Sequence, residues 1–192
     1  QMKKFLTITA LVIGFAAYAI AMLLRHAQPE AGGAPLPTRD KLVRAHAPMM
    51  GNPAAPVVIV EFLDPACETC RDFYRPVKSL LAEHPGKIAL VVRYAPFHRG
   101  SDQIVGLLDA ARKQGQFWPV LDVLMATQDR WVIQHQPRLE LALQQLREST
   151  VQLDWNRLNA EMSSAEARAV VEQDLADASA LQVSKTPEFF VN

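Results

Sequence analysis

The stretch VEFLDPACETCRDFY, residues 60–74, decides the fold. It starts inside the apolar, β-branched run 57–63, which is typical of a buried central strand. An Asp-Pro pair ends this strand, and a helix is predicted to begin near Cys67. The two cysteines, Cys67 and Cys70, therefore lie where a helix starts directly after a buried strand.

The start of a helix favours a reactive thiolate at the first of the two cysteines. The start of a helix carries unsatisfied N–H groups and a partial positive charge, which stabilise a thiolate. The thiolate is the nucleophilic form of cysteine, so Cys67 is predicted to be the exposed attacking thiol. Cys70, one turn further on, is predicted to be the buried resolving thiol that attacks the mixed disulfide and releases the substrate.

The two residues between the cysteines, Glu68 and Thr69, are candidate tuning residues. The negative charge of Glu68 should oppose the helix dipole and raise the pKa of Cys67 relative to that beside a neutral or histidine-containing dipeptide. A less stabilised thiolate makes a disulfide less oxidising, so this dipeptide bears on the direction of electron flow.

A metal site is the competing interpretation of a C-x-x-C motif. The chain has only these two cysteines, too few for a zinc site unless two His or carboxylate ligands converge on them. The plausible extra ligands are His46, His98 and His135, and none has the spacing of a zinc motif. No metal site and no cofactor are predicted. Two cysteines also do not make the disulfide framework of a small secreted domain.

A second strand is predicted at 88–94, which reads IALVVRY. Strand, helix and strand at this spacing form a βαβ unit, so the two strands should be parallel. The intervening helix is predicted to bury a face made of Phe73, Val77, Leu80 and Leu81. Pro76 lies inside this helix and is predicted to kink it.

A block of amphipathic helices follows. Apolar residues at helical spacing predict buried faces in four segments, namely Ile104, Leu107, Leu108 and Ala111; Phe117, Val120, Leu121, Leu124 and Met125; Leu139, Leu143 and Leu146; and Val171, Leu175 and Ala178. Pro137 is predicted to open the third of these helices. Asp154 is predicted to cap a short helix containing Leu158, and Ser163 with Glu166 fits a capping box for the last one. A final strand is predicted at 188–191.

The first 26 residues predict a membrane anchor. Two lysines precede an uncharged apolar run from Phe5 to Leu24, which as a helix spans about 30 Å, the thickness of the hydrocarbon core. The distribution of basic residues places the N-terminus in the cytoplasm and the remainder outside. A cleaved signal peptide is the alternative, since residues 17–19 read Ala-Tyr-Ala, although the apolar run continues past them.

Residues 27–56 are predicted to be a Pro- and Gly-rich linker, followed by a catalytic domain at 57–192. Within the linker, residues 42–50 are expected to pack on the domain as an extra strand.

The chain resembles the thioredoxin superfamily, and most closely its DsbA branch. Residues 60–74 resemble the active-site segment of that branch, and Thr186-Pro187 before EFFVN resembles its cis-proline loop. Residues 110–128, AARKQGQFWPVLDVLMATQ, resemble part of the helical domain that the branch inserts. The resemblance covers about residues 48–192. It implies an α/β thioredoxin fold with a helical insertion at about 101–182, preceded here by an N-terminal transmembrane helix.

The resemblance also implies roles for individual residues. Cys67 and Cys70 correspond to the nucleophile and the resolving cysteine, Pro187 to the cis-proline, and Thr186 to the residue whose backbone pairs with substrate. Glu61 matches the buried acid beneath the active site, which takes the proton of the resolving cysteine through water.

Two neighbouring positions are interpreted from the residues alone. Arg93 is a candidate charge partner of Glu61, and His98-Arg99 is interpreted as a surface loop.

Two departures from the family pattern matter. The strongly oxidising DsbA type carries Pro-His between its cysteines, where this chain has Glu-Thr. The final hairpin strand and helix expected of the family do not follow Asn192, so a truncated sequence is expected.

The predicted function is thiol–disulfide exchange with exported proteins, as a dithiol oxidase on the outer face of the inner membrane. Its expected partners are exported protein thiols and disulfides and a quinone-linked membrane oxidase. Twenty basic residues balance twenty acidic ones, which argues against nucleic acid as a partner. If the signal is cleaved, the protein is expected to be soluble in the periplasm.

Other functions fit the same motif. The chemistry run in reverse would make the protein a reductase or isomerase recharged by a membrane electron donor. A different class is a metal-binding or chaperone-like module in which the cysteines bind copper or zinc.

Overall fold

A computed structural model of the chain describes residues 39–192. The predicted anchor at 1–26 and the first part of the linker lie outside the described residues. Between residues 39 and 192, no helix has the length and apolar character needed to cross a bilayer.

The described part alternates strands and helices around a four-stranded sheet. The helices are α1 Arg39–Leu42, α2 Glu68–Glu83, α3 Ser101–Lys113, α4 Phe117–Ala126, α5 Gln128–Trp131, α6 Leu139–Arg147, α7 Trp155–Glu161 and α8 Ala165–Ala180. The strands are β1 Met49–Gly51, β2 Val57–Leu63, β3 Ile88–Tyr94, β4 Val132–Ile133, β5 Gln136–Pro137 and β6 Glu188–Val191. The α/β architecture with helices inserted between β3 and β6 is the one the resemblance implied.

The sheet has the order β1-β3-β2-β6. β2 and β3 are parallel, as the βαβ spacing predicts, and Val57 lies opposite Ile88 at the start of the pair. β6 is antiparallel to β2, and β1 is antiparallel to β3. The predicted bounds of β2, β3 and β6 are confirmed because each is a short apolar run bordered by strong turn residues.

Alternate residues of β2 and β3 face two separate cores. Ile59, Leu63, Leu90 and Val92 face α2 and the helical block. The residues between them face the segment before β1 and the end of α8; this second core contains Val58, Val60, Phe62, Val91, Ala178 and Val183. Because side chains alternate along a strand, a shift of one residue moves a side chain from one core to the other.

The buried face of α2 differs from the prediction. Cys70, Tyr74, Val77 and Leu81 are buried, whereas Phe73 is 48% exposed and Leu80 38% exposed. The predicted and the observed sets both repeat at helical spacing, so the sequence does not distinguish them. The observed set includes Cys70, which follows closely after β2 and is buried in the core that β2 lines. The helix continues through Pro76.

Two of the four predicted helical faces are confirmed in full, and the other two in part. The predicted apolar residues of α3 and α4 are all buried. In α6 only Leu146 of the predicted set is fully buried, and the helix begins at Leu139, because Pro137 lies in the β4–β5 hairpin. On α8 only Ala178 is buried, alongside Ala167, Asp174 and Asp177.

The predicted caps are close to those observed. The Asp154 side chain accepts a hydrogen bond from the Arg157 N–H and caps α7. The cap of α8 is Ser164, which accepts from Ala167 N–H, one residue after the predicted Ser163.

The end of the predicted linker is part of the folded unit. β1 pairs with β3, which agrees with the extra strand expected within 42–50, although the strand itself is Met49–Gly51. Leu42, Val43 and Ala47 pack against the second core. The folded unit therefore begins well before Val57, the predicted start of the domain.

A buried ion network joins this N-terminal segment to α8. Arg93 is fully buried, and its guanidinium donates to Asp174 Oδ1 at 2.7 and 2.9 Å and to Asp177 Oδ2 at 2.6 Å. Its remaining N–H groups reach the Lys41 and Leu42 carbonyls, at 3.0 and 2.9 Å. Arg44 also binds the Asp177 carboxylate with two hydrogen bonds, of 2.7 and 2.8 Å. Hydrogen bonds from Arg44 and Arg93 hold the pKa of Asp177 well below its usual range.

Replacing Gly106 with alanine is expected to lower the free energy of unfolding by about 1–3 kcal/mol. An added Cβ at this position in α3 would lie 2.2 Å from the Met162 carbonyl oxygen, so α3 and the chain after α7 must separate. Chemical denaturation measures the loss. Gln103→Ala, an exposed change on the same helix, is the control and should not destabilise. Equal stability of wild type and Gly106→Ala would contradict this close approach.

Candidate active site

The two cysteines lie where the sequence placed them, at the N-terminal end of α2. Cys67 is the residue before the first turn, with φ −77° and ψ 121°, and Cys70 is in the first turn. The Cys67 N–H donates to the Asp64 carbonyl at 3.0 Å, so the turn after β2 fixes the entry to the helix. Both cysteines are free thiols in this structure.

The two thiols differ in environment. Cys67 is 7% exposed and Cys70 fully buried, so Cys67 is the more accessible but not the exposed residue predicted. The reason is the loop before β6, whose Thr186 carbonyl oxygen lies 3.3 Å from the Cys67 sulfur and accepts its hydrogen bond when Cys67 is protonated. The Thr186–Pro187 peptide bond is cis, as the resemblance implied. The structure thus brings Thr186, Pro187 and Cys67 together.

The pKa values of the two thiols are driven apart. A hydrogen bond with the Cys70 thiol is the main reason that the pKa of Cys67 is lowered to about 5. The Thr186 side chain and the backbone at Cys70 and Thr69 also lower it, against the opposing effect of burial. The same bond with Cys67, followed by burial and the negative charge of Cys67, raises the pKa of Cys70 far above its usual range. Cys67 is therefore the thiolate at neutral pH and Cys70 the thiol.

Glu68 is paired with a histidine from the helical block. Its Oε1 lies 2.9 Å from His135 Nδ1, in the turn between β4 and β5. Gln134 and His135 in this turn have φ values of 52° and 61°, the left-handed region that tight hairpin turns require. The helical block therefore places an imidazole on the carboxylate that lies next to Cys67.

Glu61 is the buried acid that the resemblance implied. It is fully buried on β2, on the same face as the cysteines, and neither carboxylate oxygen has a hydrogen-bond partner among the described residues. Burial, and then the negative charge of Cys67, raises the pKa of Glu61 to about 8. The carboxyl group is therefore able to hold or release a proton near neutral pH.

The predicted partner of Glu61, Arg93, faces the other side of the sheet. In the parallel register Glu61 lies opposite Val92, and Arg93 lies opposite Phe62. Arg93 therefore points into the second core, where it binds Asp174 and Asp177. The prediction of an Arg93–Glu61 pair is wrong because it ignored which face each residue takes.

Replacing Glu61 with glutamine is expected to give a stability gain that grows with pH. The pKa of Glu61 in the folded protein, about 8, lies above its ordinary value, so folding favours the protonated acid and wild type loses stability as pH rises from 4.5 to 8. Glutamine does not titrate. Between pH 4.5 and pH 7 the gap in unfolding free energy between the reduced proteins should widen by about 3 kcal/mol in favour of the variant. Denaturation curves at a series of pH values measure it, and parallel pH profiles would contradict it.

Two residues that the sequence did not single out organise the turn before Cys67. Asp64 is fully buried and accepts a hydrogen bond from Ala66 N–H at 2.9 Å and another from Ser101 Oγ–H. Gln128 donates to the Pro65 and Cys67 carbonyls, at 2.9 and 3.0 Å. Both contacts tie the active-site turn to the helical block. Asp64 directly follows β2, which is a usable sequence signal, whereas nothing near Gln128 in sequence marks its role.

The histidines that were considered as metal ligands do not converge on the cysteines. His46 binds Asp174, His98 binds Asp64 and His135 binds Glu68. Within residues 41–192, no group of three or more His, Cys, Asp or Glu side chains is arranged to hold a metal ion.

Comparison with known proteins agrees with this geometry. The family model described as Thioredoxin matches residues 44–192. A thioredoxin-like oxidoreductase from Silicibacter pomeroyi is 32% identical, with a TM-score of 0.70 over 81% of this chain and 86% of that one. The α-DsbA1 of Wolbachia pipientis shares the fold at 19% identity, with a TM-score of 0.68 over 79% of this chain and 77% of that one.

Curated relatives include both short and long proteins. The probable disulfide bond formation protein D of Bacillus anthracis is 30% identical over 154 residues, which are 74% of this chain and 68% of that protein. The Na⁺/H⁺ antiporter NhaA 3 of Salinispora tropica is 30% identical over 149 residues, 74% of this chain. The chain spans about a fifth of the length of that antiporter (21%).

Proposed function

The chain belongs to the thioredoxin family, and from that premise we propose that it is a thiol–disulfide oxidoreductase working through Cys67, Glu68, Thr69 and Cys70. The observation that carries the proposal is the position of Cys67 and Cys70 at the N-terminal end of α2, with the cis Thr186–Pro187 bond against Cys67. The opposite shifts of the two thiol pKa values, with Cys67 at about 5 and Cys70 far above its usual range, agree with this arrangement. One sulfur is thereby a nucleophile and leaving group, and the other holds its proton until the mixed disulfide forms.

The buried acid completes the proton path. When substrate attacks Cys67 and opens the disulfide, Cys70 leaves as a thiolate and takes up a proton. In the reverse direction Cys70 must lose that proton to attack the mixed disulfide. Glu61, with a pKa of about 8, is the acid or base for this proton on the same face of the sheet. Thr186 and Pro187 border Cys67, and we assign to them the backbone surface along which an extended substrate lies.

The direction we propose is oxidation of substrate dithiols. A low pKa at Cys67 stabilises the reduced, thiolate form of the protein, and a stabilised reduced form makes the disulfide a stronger oxidant. The hydrogen bond between Glu68 and His135 supports the same direction, because a hydrogen-bonded carboxylate opposes the neighbouring Cys67 thiolate less strongly.

The deciding experiment is the reduction potential of the Cys67–Cys70 pair, measured by equilibration with glutathione buffers. A value near about −120 mV is expected and would place the protein with strong oxidants. A value near about −270 mV, typical of thioredoxin, would overturn the oxidase direction and favour the reductase. A parallel assay of the refolding of a reduced, unfolded protein tests whether exchange occurs at all.

We further propose that the substrates are exported proteins and that residues 1–26 hold the catalytic domain on the outer face of the inner membrane. The apolar run 5–24 and the basic residues before it support this orientation. A quinone-linked membrane oxidase would then reoxidise Cys67 and Cys70. Fractionation of cells expressing the full chain should find it in the membrane pellet after an alkaline wash. Recovery of a shortened protein in the periplasm would indicate a cleaved signal instead.

A further inference from the structure

The Asp64 carboxylate joins three segments around the active-site turn. Its Oδ1 accepts from the Ala66 N–H, within the turn, and from the Ser101 hydroxyl, at the start of α3. Its Oδ2 accepts the backbone N–H of His98 at 2.8 Å and lies 2.7 Å from His98 Nδ1. A fully buried carboxylate with four such partners is a fixed support, and it holds the His98 ring in one orientation.

The loop holding His98 connects β3 with α3, directly after the strand that pairs with β2. With Nδ1 bound to Asp64, His98 Nε2 has no hydrogen-bond partner among the described residues, and the side chain is 29% exposed. The interpretation of His98-Arg99 as a plain surface loop is therefore replaced for His98 by an oriented Asp–His pair at the margin of the site.

The charges around His98 are those of the active site. Burial lowers its pKa, but the hydrogen bond and the charge of Asp64, and then the charges of Cys67 and Glu68, outweigh burial and raise it. The same attraction acts in reverse, because a cation that gains from the Cys67 thiolate also stabilises that thiolate.

We propose that His98 is a positioning residue for disulfide exchange: Asp64 fixes its imidazole beside the turn that carries Cys67, and its positive charge stabilises the Cys67 thiolate when that sulfur is the leaving group. The inference rests on the proposed function, since it assigns a second residue pair to the same site. It adds a source of thiolate stabilisation from outside the C-x-x-C motif.

The step concerned is the release of oxidised substrate. A second substrate thiolate attacks the substrate sulfur of the mixed disulfide with Cys67. A new sulfur–sulfur bond forms within the substrate, and the bond to Cys67 breaks. The electron pair of the broken bond goes to Cys67, which leaves as a thiolate; the substrate dithiol is oxidised by two electrons and the protein is reduced. His98 transfers no proton in this step and acts through its charge alone.

The test compares the reduced form of wild type, His98→Gln and His98→Lys. We would measure the pKa of Cys67 from the ultraviolet absorbance of its thiolate. We would also measure the equilibrium constant for thiol–disulfide exchange with glutathione. In His98→Gln the pKa should rise, and the protein should become about tenfold less oxidising, which for this two-electron couple corresponds to about 30 mV. His98→Lys, which keeps a cation, should recover most of the shift.

Controls separate this role from simple support of the loop. His84→Gln changes an exposed histidine beyond the C-terminal end of α2, about 26 Å from Cys67 along the helix, and should leave both readouts at wild-type values. If His98→Gln does not fold, His98→Asn and His98→Lys give the same neutral-versus-cationic comparison. A neutral variant with the wild-type Cys67 pKa and potential overturns the proposal. Absence of exchange by wild type overturns the proposed function instead, and the pKa measurement still tests His98.

Discussion

Replacing Cys70 with serine is expected to convert the transient intermediate of exchange into a stable mixed disulfide between Cys67 and a substrate protein. A serine hydroxyl can still donate a hydrogen bond to Cys67, and the other groups that lower the pKa of Cys67 remain, but the buried sulfur that resolves the intermediate is gone. Non-reducing electrophoresis of the purified variant incubated with a disulfide-containing substrate should show an adduct that dithiothreitol removes. Wild type under the same conditions should show almost none.

Replacing Cys67 with serine should abolish exchange altogether, because a serine hydroxyl is not an effective nucleophile at neutral pH and cannot form a disulfide. No adduct should form, and activity should fall to the background of the assay. Thermal melting close to that of wild type would show that the variant is folded. Failure of Cys70→Ser to trap any substrate, together with stoichiometric zinc or copper that stays with wild type through gel filtration, would favour the metal-binding alternative.

Replacing Arg93 with methionine is expected to lower the free energy of unfolding by about 3–5 kcal/mol, the range for breaking a buried ion pair from one side. The change removes the buried arginine from Asp174, takes away one of the two arginines that hold Asp177, and frees the Lys41 and Leu42 carbonyls. Chemical denaturation at neutral pH measures the loss. Asp174→Asn in the same background should restore part of it, since one of the uncompensated charges is then removed.

Arg157→Met is the matched control for this prediction. Arg157 forms an ion pair with Glu161 on the surface, where its side chain is 48% exposed, and exposed pairs contribute about 0–1 kcal/mol. A loss for Arg93→Met no larger than that of the control would mean that the buried network adds nothing to stability.

The strands and the cysteine pair were predictable because their signals are local. An apolar run bordered by strong turn residues fixes a strand within a residue, and β2, β3 and β6 show it. The role of Cys67 and Cys70 was predictable from their position alone, between a strand and the start of a helix. The expected effect of Glu68 rests on its neighbours in sequence, and these do not reveal His135, which contacts the carboxylate from 67 residues away in sequence.

The errors came from features that only the three-dimensional arrangement decides. Glu61 and Arg93 are adjacent-strand residues, but the register puts them on opposite faces of the sheet. Phe73 and Tyr74 both fit an amphipathic helix, and the rotation of α2 on the sheet buries only Tyr74. Side chains that act across long sequence distances, such as Gln128 on the Cys67 carbonyl, leave no pattern that a single sequence reveals.

The buried ion network also determines how the folded unit carries a pulling force applied to its N-terminal segment. Arg44 precedes β1 in the chain and is held by Asp177 on α8, so tension applied from the N-terminal side meets this pair before it reaches the β1–β3 hydrogen bonds. Asp177 in turn is held by Arg93 on the face of the sheet away from the cysteines. A pull on the chain before residue 44 is therefore borne by α8 and the back of β3, and the turn that carries Cys67 stays outside the path of the load.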